Sequence, residues 1–291
     1  MSTRPIPRPA EAVAATPAAA ASGLETDISM PLPEREPVQA RLYGQKGKGA
    51  ASTPLVVHFH GGTFVSGGLD EGRNVARMLA GAGAVVLSVD YPLKPFPEPI
   101  EVGFAALEWA YKHRAKLAGK GARLYLAGEE AGGNVAAAVG VMARDRAHPP
   151  LAGQILLSPM LDPCAGTLSL RKASTDVVRC RWASGWQEYL SSPMNATHPY
   201  AVPGAALRLA ELAPTLVLVG QDDAMRDEAL SFARRLHEAG IPVTEALLPS
   251  SARCPDELYD PASGECACSE TVGGHLRAFF ASTVPPLPPP A

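Results

Sequence analysis

Two adjacent carboxylates set in a glycine frame are the residues of this chain best placed to do chemistry. Gly128-Glu129-Glu130-Ala131-Gly132 has the G-x-S-x-G spacing of a nucleophile elbow, with Glu130 at the central position where that motif carries serine. Such a frame lets a strand turn sharply into a helix and lifts the central side chain clear of the backbone. The flanks suit it: Ala122–Ala127 reads as a strand running in, and Ala131–Arg144 as a small-residue helix running out. A carboxylate held there has three uses: it can carry charge for binding, move a proton, or attack as a nucleophile. It cannot form an acyl-serine.

The elements that must position Glu130 follow from periodicity. Val38, Ala40 and Leu42 alternate as an edge strand would, and the run 55–60 is a short apolar strand between Pro54 and Gly61-Gly62. Helix 74–80, strand 84–89, helix 100–117, the elbow strand and its helix, strands 154–158 and 215–219, helix 227–239 and strand 243–248 follow. Alternating strands and helices imply a three-layer α/β fold with a mostly parallel sheet covered on both faces. Sites in such folds lie at the carboxyl ends of the strands. His60-Gly61-Gly62-Thr63-Phe64, Glu130, Asp222-Asp223 and Arg253 each follow a strand.

Composition narrows the function classes. With 291 residues, 46% hydrophobic content and a formal charge of −3, the chain describes one globular domain without a basic footprint for nucleic acid or an anionic membrane. No apolar run is long enough to span a bilayer, and the expected location is cytoplasmic. Five scattered cysteines argue against a disulfide framework. Cys254, Cys266 and Cys268 stand before His275, but their intervals are not those of a zinc site. Free thiols or one oxidised pair are the plainer readings, and no metal or cofactor is expected. Residues 1–36 read as a disordered Ala/Pro-rich arm, 37–284 as the α/β domain and 285–291 as a polyproline tail. Within the domain, 164–200 would partly cover the site and 250–274 form an irregular insertion.

An ordered set of motifs carries a resemblance. His60-Gly61-Gly62, Asp90-Tyr91-Pro92-Leu93, Gly128-Glu129-Glu130-Ala131-Gly132-Gly133-Asn134, Ser158-Pro159 and Asp223-Ala224-Met225-Arg226-Asp227-Glu228 resemble those of the hormone-sensitive-lipase branch of the α/β-hydrolase fold. The similarity runs from about Pro37 to Ser282. It implies that Gly61, Gly62, Thr63 and Ala131 present backbone N–H groups as an oxyanion or anion pocket, with Thr63 replacing a usual glycine. His60 would shape that loop. Asp223 matches the acid of the triad, Glu130 takes the nucleophile's place, and Arg253 falls where the family's histidine stands.

Both reacting groups of the triad would then be replaced, and by opposite charges. Glu130, Arg253 and Asp223 could form a carboxylate–guanidinium–carboxylate cluster suited to binding. Alternatively Arg253 faces solvent in the insertion and His275 serves as base, although 273–280 reads better as part of a terminal helix. Enzymes resembling epoxide hydrolases use a carboxylate nucleophile on this fold but keep a histidine to release the ester.

The segment 179–189 resembles the region that packs over the family's site, where Phe64, Trp182, Trp186 and Tyr189 could line a modest apolar pocket, although aromatic residues at helical spacing are core more often than ligand contacts. The resemblance with its degenerate triad implies a pseudoenzyme: an esterase-like protein that binds a small acyl, carbonyl or carboxylate ligand without hydrolysing it. Two other readings stand beside it: an enzyme of altered mechanism using Glu130, or a structural or assembly role.

Overall fold

The computed structural model describes residues 25–47, 53–164, 166–173, 176–250 and 268–284. Eight strands form one sheet: β1 (Glu25–Met30), β2 (Val38–Tyr43), β3 (Leu55–Phe59), β4 (Val85–Val89), β5 (Leu124–Glu129), β6 (Leu151–Leu157), β7 (Thr215–Gly220) and β8 (Val243–Leu248). Their order is β1-β2-β4-β3-β5-β6-β7-β8, antiparallel at the first two pairings and parallel from β4 onward. Every residue of β3, β4 and β5 is buried, as a parallel sheet with helices on both faces requires. The three-layer α/β expectation holds.

Among the described residues the larger helices are α1 (Arg73–Gly81), α2 (Glu98–Leu117), α3 (Glu130–Asp145), α4 (Leu168–Ala173), α5 (Asp176–Leu190), α6 (Arg226–Glu238) and α7 (Ser269–Ser282). α3 is rich in Ala and Gly because it lies against the sheet at close range. A Cβ on Gly132 would stand 2.0 Å from the Phe59 carbonyl oxygen, so no larger residue lets the start of α3 seat on the end of β3.

Two boundaries depart from expectation. The arm expected over 1–36 yields a strand at its end: β1 pairs in register with β2, from Glu25 opposite Tyr43 to Met30 opposite Val38. Its alternating Glu25, Asp27 and Ser29 mask the signal, while Met30 is fully buried. The irregular stretch expected over 250–274 is helical from Ser269, because Val272 and Leu276 share a buried face with Phe279. Arg253, Cys254 and Cys266 lie outside the described residues, as does the tail 285–291. Cys268 is buried and disulfide-bonded, which removes it as a thiolate ligand, while Cys164 is an exposed free thiol. No described helix is long and apolar enough to cross a membrane.

Candidate functional site

The fold brings the ends of β3, β5, β6 and β7 together around Glu130. Glu130 has φ +48°, in the left-handed region, at the junction of β5 and α3. Thr63 (+56°), Phe64 (+66°) and Ser158 (+44°) share that conformation, so four of the eight described non-glycine residues at positive φ gather here. Each such residue stores about 1 kcal/mol or more, and strain of this kind collects at functional sites. The elbow geometry is intact although its central residue is glutamate.

Glu130 turns its carboxylate onto the glycine loop, where Oε2 accepts the Gly62 N–H at 2.9 Å. The same oxygen would lie 2.9 Å from a Cβ on Gly61, so the side chain rests directly over Gly61 and Gly62. Burial pushes its pKa up to about 7, aided by the charges of Glu129 and Asp223 and opposed by the Gly62 hydrogen bond and Arg181. The residue itself is half-buried, so part of it meets solvent.

The loop donors divide unevenly. Gly61, expected among the oxyanion donors, instead gives its N–H to Glu129 Oε1 at 3.1 Å. Gly62 donates to Glu130, and the Thr63 and Ala131 amides donate to no other group among the described residues. Behind the loop lies a buried relay: His58 Nε2 donates to Glu129 Oε2 at 2.7 Å, and His58 Nδ1 lies 2.9 Å from the Ser88 hydroxyl. This relay explains the loss of Gly61, because a fully enclosed carboxylate at Glu129 must gather every donor within reach. His60 is structural. Its Nδ1 donates to the Gly61 carbonyl at 2.7 Å, its ring stacks on Tyr91, and desolvation lowers its pKa and keeps it neutral. The Tyr91 hydroxyl donates to the His60 carbonyl at 2.9 Å.

Asp223 stands at the end of β7, buried, accepting the Met225 N–H at 2.8 Å and the hydroxyl proton of Ser158. None of the chain's seven histidines hydrogen-bonds to Asp223 or Glu130, and His275 lies within α7, as the terminal-helix reading has it. The aromatic group is core rather than pocket wall. Phe64 stacks on Tyr189 with centroids 4.1 Å apart and meets Trp186 at 4.9 Å, and all three are buried. Ring-on-ring packing fills the expected space, leaving only Trp182 partly open. Two cavities lie away from the elbow: about 700 Å³ between α6 and β8, beside Leu230, Arg234 and Glu245, and about 180 Å³ beside Asp162, Glu228 and Arg235.

Helix α5 roofs the glycine loop. A Cβ on Gly185 would meet the Thr63 carbonyl oxygen at 2.1 Å, and Arg181 reaches the Ser66 hydroxyl at 3.0 Å. Sequence reasoning missed Arg181, Ser158 as partner of Asp223, and the Ser88–His58–Glu129 relay. A signal existed for the relay: of two consecutive carboxylates at a strand end, one must point inward and find donors.

Comparison with known proteins agrees with this fold. A family model described as the α/β-hydrolase fold matches residues 56–252. The chain belongs to the α/β-hydrolase family. Esterases are among its relatives. Esterase LipI of Mycobacterium tuberculosis is 34% identical over 201 residues, covering 66% of this chain and 62% of that protein. Carboxylic ester hydrolase LipN of the same organism is 34% identical over 267 residues, covering 88% and 70%. The chain thus spans under two thirds of LipI's length. Among solved α/β-hydrolases, an esterase from Pyrobaculum calidifontis superposes with TM-score 0.76 at 29% identity, covering 90% of this chain and 88% of that one. A thermostable esterase from Pseudomonas putida gives TM-score 0.78 at 25% identity, covering 92% and 86%.

Proposed function

We propose that this α/β-hydrolase binds a small carbonyl or carboxylate ligand at the elbow without hydrolysing esters, as a pseudoesterase. One observation carries the reading: the side chain at the nucleophile's position is a carboxylate already hydrogen-bonded to Gly62 N–H, a donor that acyl transfer needs for its oxyanion. Acyl transfer through a serine requires a hydroxyl beside a base that a third group orients. Here the acid position, Asp223, instead takes the Ser158 hydroxyl and the Met225 amide. Arg253, the residue standing for the triad's histidine, is the remaining member of the proposed degenerate triad.

A second reading rests on the raised pKa of Glu130, about 7, which suits a group exchanging protons near neutrality. It would make the protein a lyase, a cyclase or an unusual ester or lactone hydrolase using Glu130 as its proton carrier.

Steady-state hydrolysis of short-chain p-nitrophenyl esters separates the two. The pseudoesterase reading expects no turnover by the wild type and measurable turnover by a Glu130→Ser/Arg253→His double variant. Wild-type turnover that disappears in Glu130→Ala would establish the second reading and sink the first.

A further inference from the structure

Gly62 N–H is the single loop donor that already has an occupant facing the cleft, and that occupant is a carboxylate. The Thr63 and Ala131 amides beside it donate to no other group among the described residues. A ligand oxygen that engages the Gly62 N–H together with these two amides must take the place of Glu130 Oε2, which rests within contact distance of both loop glycines. We infer that the elbow admits a monocarboxylate ligand only in exchange for the charge on Glu130, so that binding such a ligand takes up one proton.

The argument is electrostatic and rests on the ligand-binding reading above. Once displaced, an ionised Glu130 side chain would lose its carboxylate's only hydrogen bond among the described residues and lie beside the new carboxylate. The groups facing it sharpen the penalty. Glu129 from β5 and Asp223 from the end of β7 raise its proton affinity, while Arg181 from α5 offsets them only in part. Tyr91, near enough to feel the charge, has its own pKa raised well above the ordinary value by burial and by Glu129 and Glu130, and stays neutral. His60 is held neutral by desolvation. Two carboxylates in contact in such surroundings do not both stay ionised, and one proton bound between them relieves the repulsion. The balance is simple: ionised Glu130, ligand carboxylate and one proton give protonated Glu130 hydrogen-bonded to the ligand anion. No bond between heavy atoms forms or breaks.

The exchange is selective. A neutral amide of the same chain length brings a carbonyl oxygen to Gly62 N–H and an N–H₂ for the Glu130 carboxylate. It gains nothing from the proton.

Titration calorimetry of the full chain with butyrate and with butyramide, from pH 6 to 8.5 in two buffers of different ionisation enthalpy, tests the inference. Above pH about 7 the affinity of the wild type for butyrate should fall about tenfold per pH unit, with close to one proton taken up per ligand, while butyramide shows no such slope. Glu130→Gln keeps the shape without the charge; it should bind butyrate with no slope and about tenfold more tightly than the wild type at pH 8. Glu130→Ala should match it, which guards against a folding defect in either variant. A flat wild-type profile, or the same slope in Glu130→Gln, overturns the proton exchange while leaving the ligand site standing. Failure of the wild type and of both variants to bind either ligand overturns the binding reading as well.

Discussion

Glu130 is a carboxylate whose protein surroundings work against its charge, and this has a consequence for stability that needs no ligand. Its folded pKa is raised from 4.5 to about 7, so the folded state holds this proton more tightly than the unfolded state does. The stability so gained is fully present below about pH 4.5 and is lost as pH rises through about 7. Glu130→Gln should therefore raise stability at pH 8 by about 2 kcal/mol, a figure reduced from the full shift because part of the residue meets solvent. The gain should vanish near pH 4.5. Urea midpoints of the two proteins at both pH values check this, and a constant difference would show that Glu130 ionises freely. Sequence placed Glu130 at the elbow but could not give its direction. The turn of its carboxylate onto Gly62 depends on Gly61 having no side chain and on the donors of a loop 68 residues away in sequence.

At the scale of elements, the glycine loop is held from behind by β3, β4 and β5 acting together. Ser88, His58 and Glu129 sit one on each strand and are all buried, so the Gly61 amide is tied to a relay rather than to the cleft. His58→Ala would leave the Glu129 carboxylate enclosed without its partner and should destabilise the fold by about 3 to 5 kcal/mol. Equilibrium unfolding in urea reads that loss; a change below 1 kcal/mol would mean that water replaces the imidazole. Gly132→Ala tests the seat of α3, because its methyl would fall 2.0 Å from the Phe59 carbonyl oxygen. The chain cannot absorb that overlap without shifting α3, and the variant should lose cooperative unfolding or several kcal/mol of stability. Periodicity found these elements to within a few residues, because fully apolar strands and an Ala-rich helix carry strong patterns. The relay was not legible, since hydrogen-bond pairing across three strands is set by register.

For the whole molecule, the sheet begins one strand earlier than its pattern suggested. β1 covers β2, and Met30 and Leu32 reach the main core. Deleting residues 1–36 should therefore lower stability by roughly 3 to 6 kcal/mol relative to a chain starting at Glu25, since two buried side chains are each worth about 1.5 to 3 kcal/mol. An unchanged thermal midpoint would assign β1 no part in the core. The strand escaped sequence reading because its solvent face carries Glu25, Asp27 and Ser29, residues that also compose linkers. The fold class was legible because alternating strands and helices leave few other solutions. Sequence left the aromatic residues open between core and pocket wall, because ring spacing along a helix does not say whether neighbouring rings close the gap. Helix α5 lies on Thr63 through the bare backbone of Gly185, so the roof of the cleft is seated directly on the glycine loop. Under the binding reading proposed above, a ligand that lifts α5 to enter would also shift the Thr63 amide it is to meet.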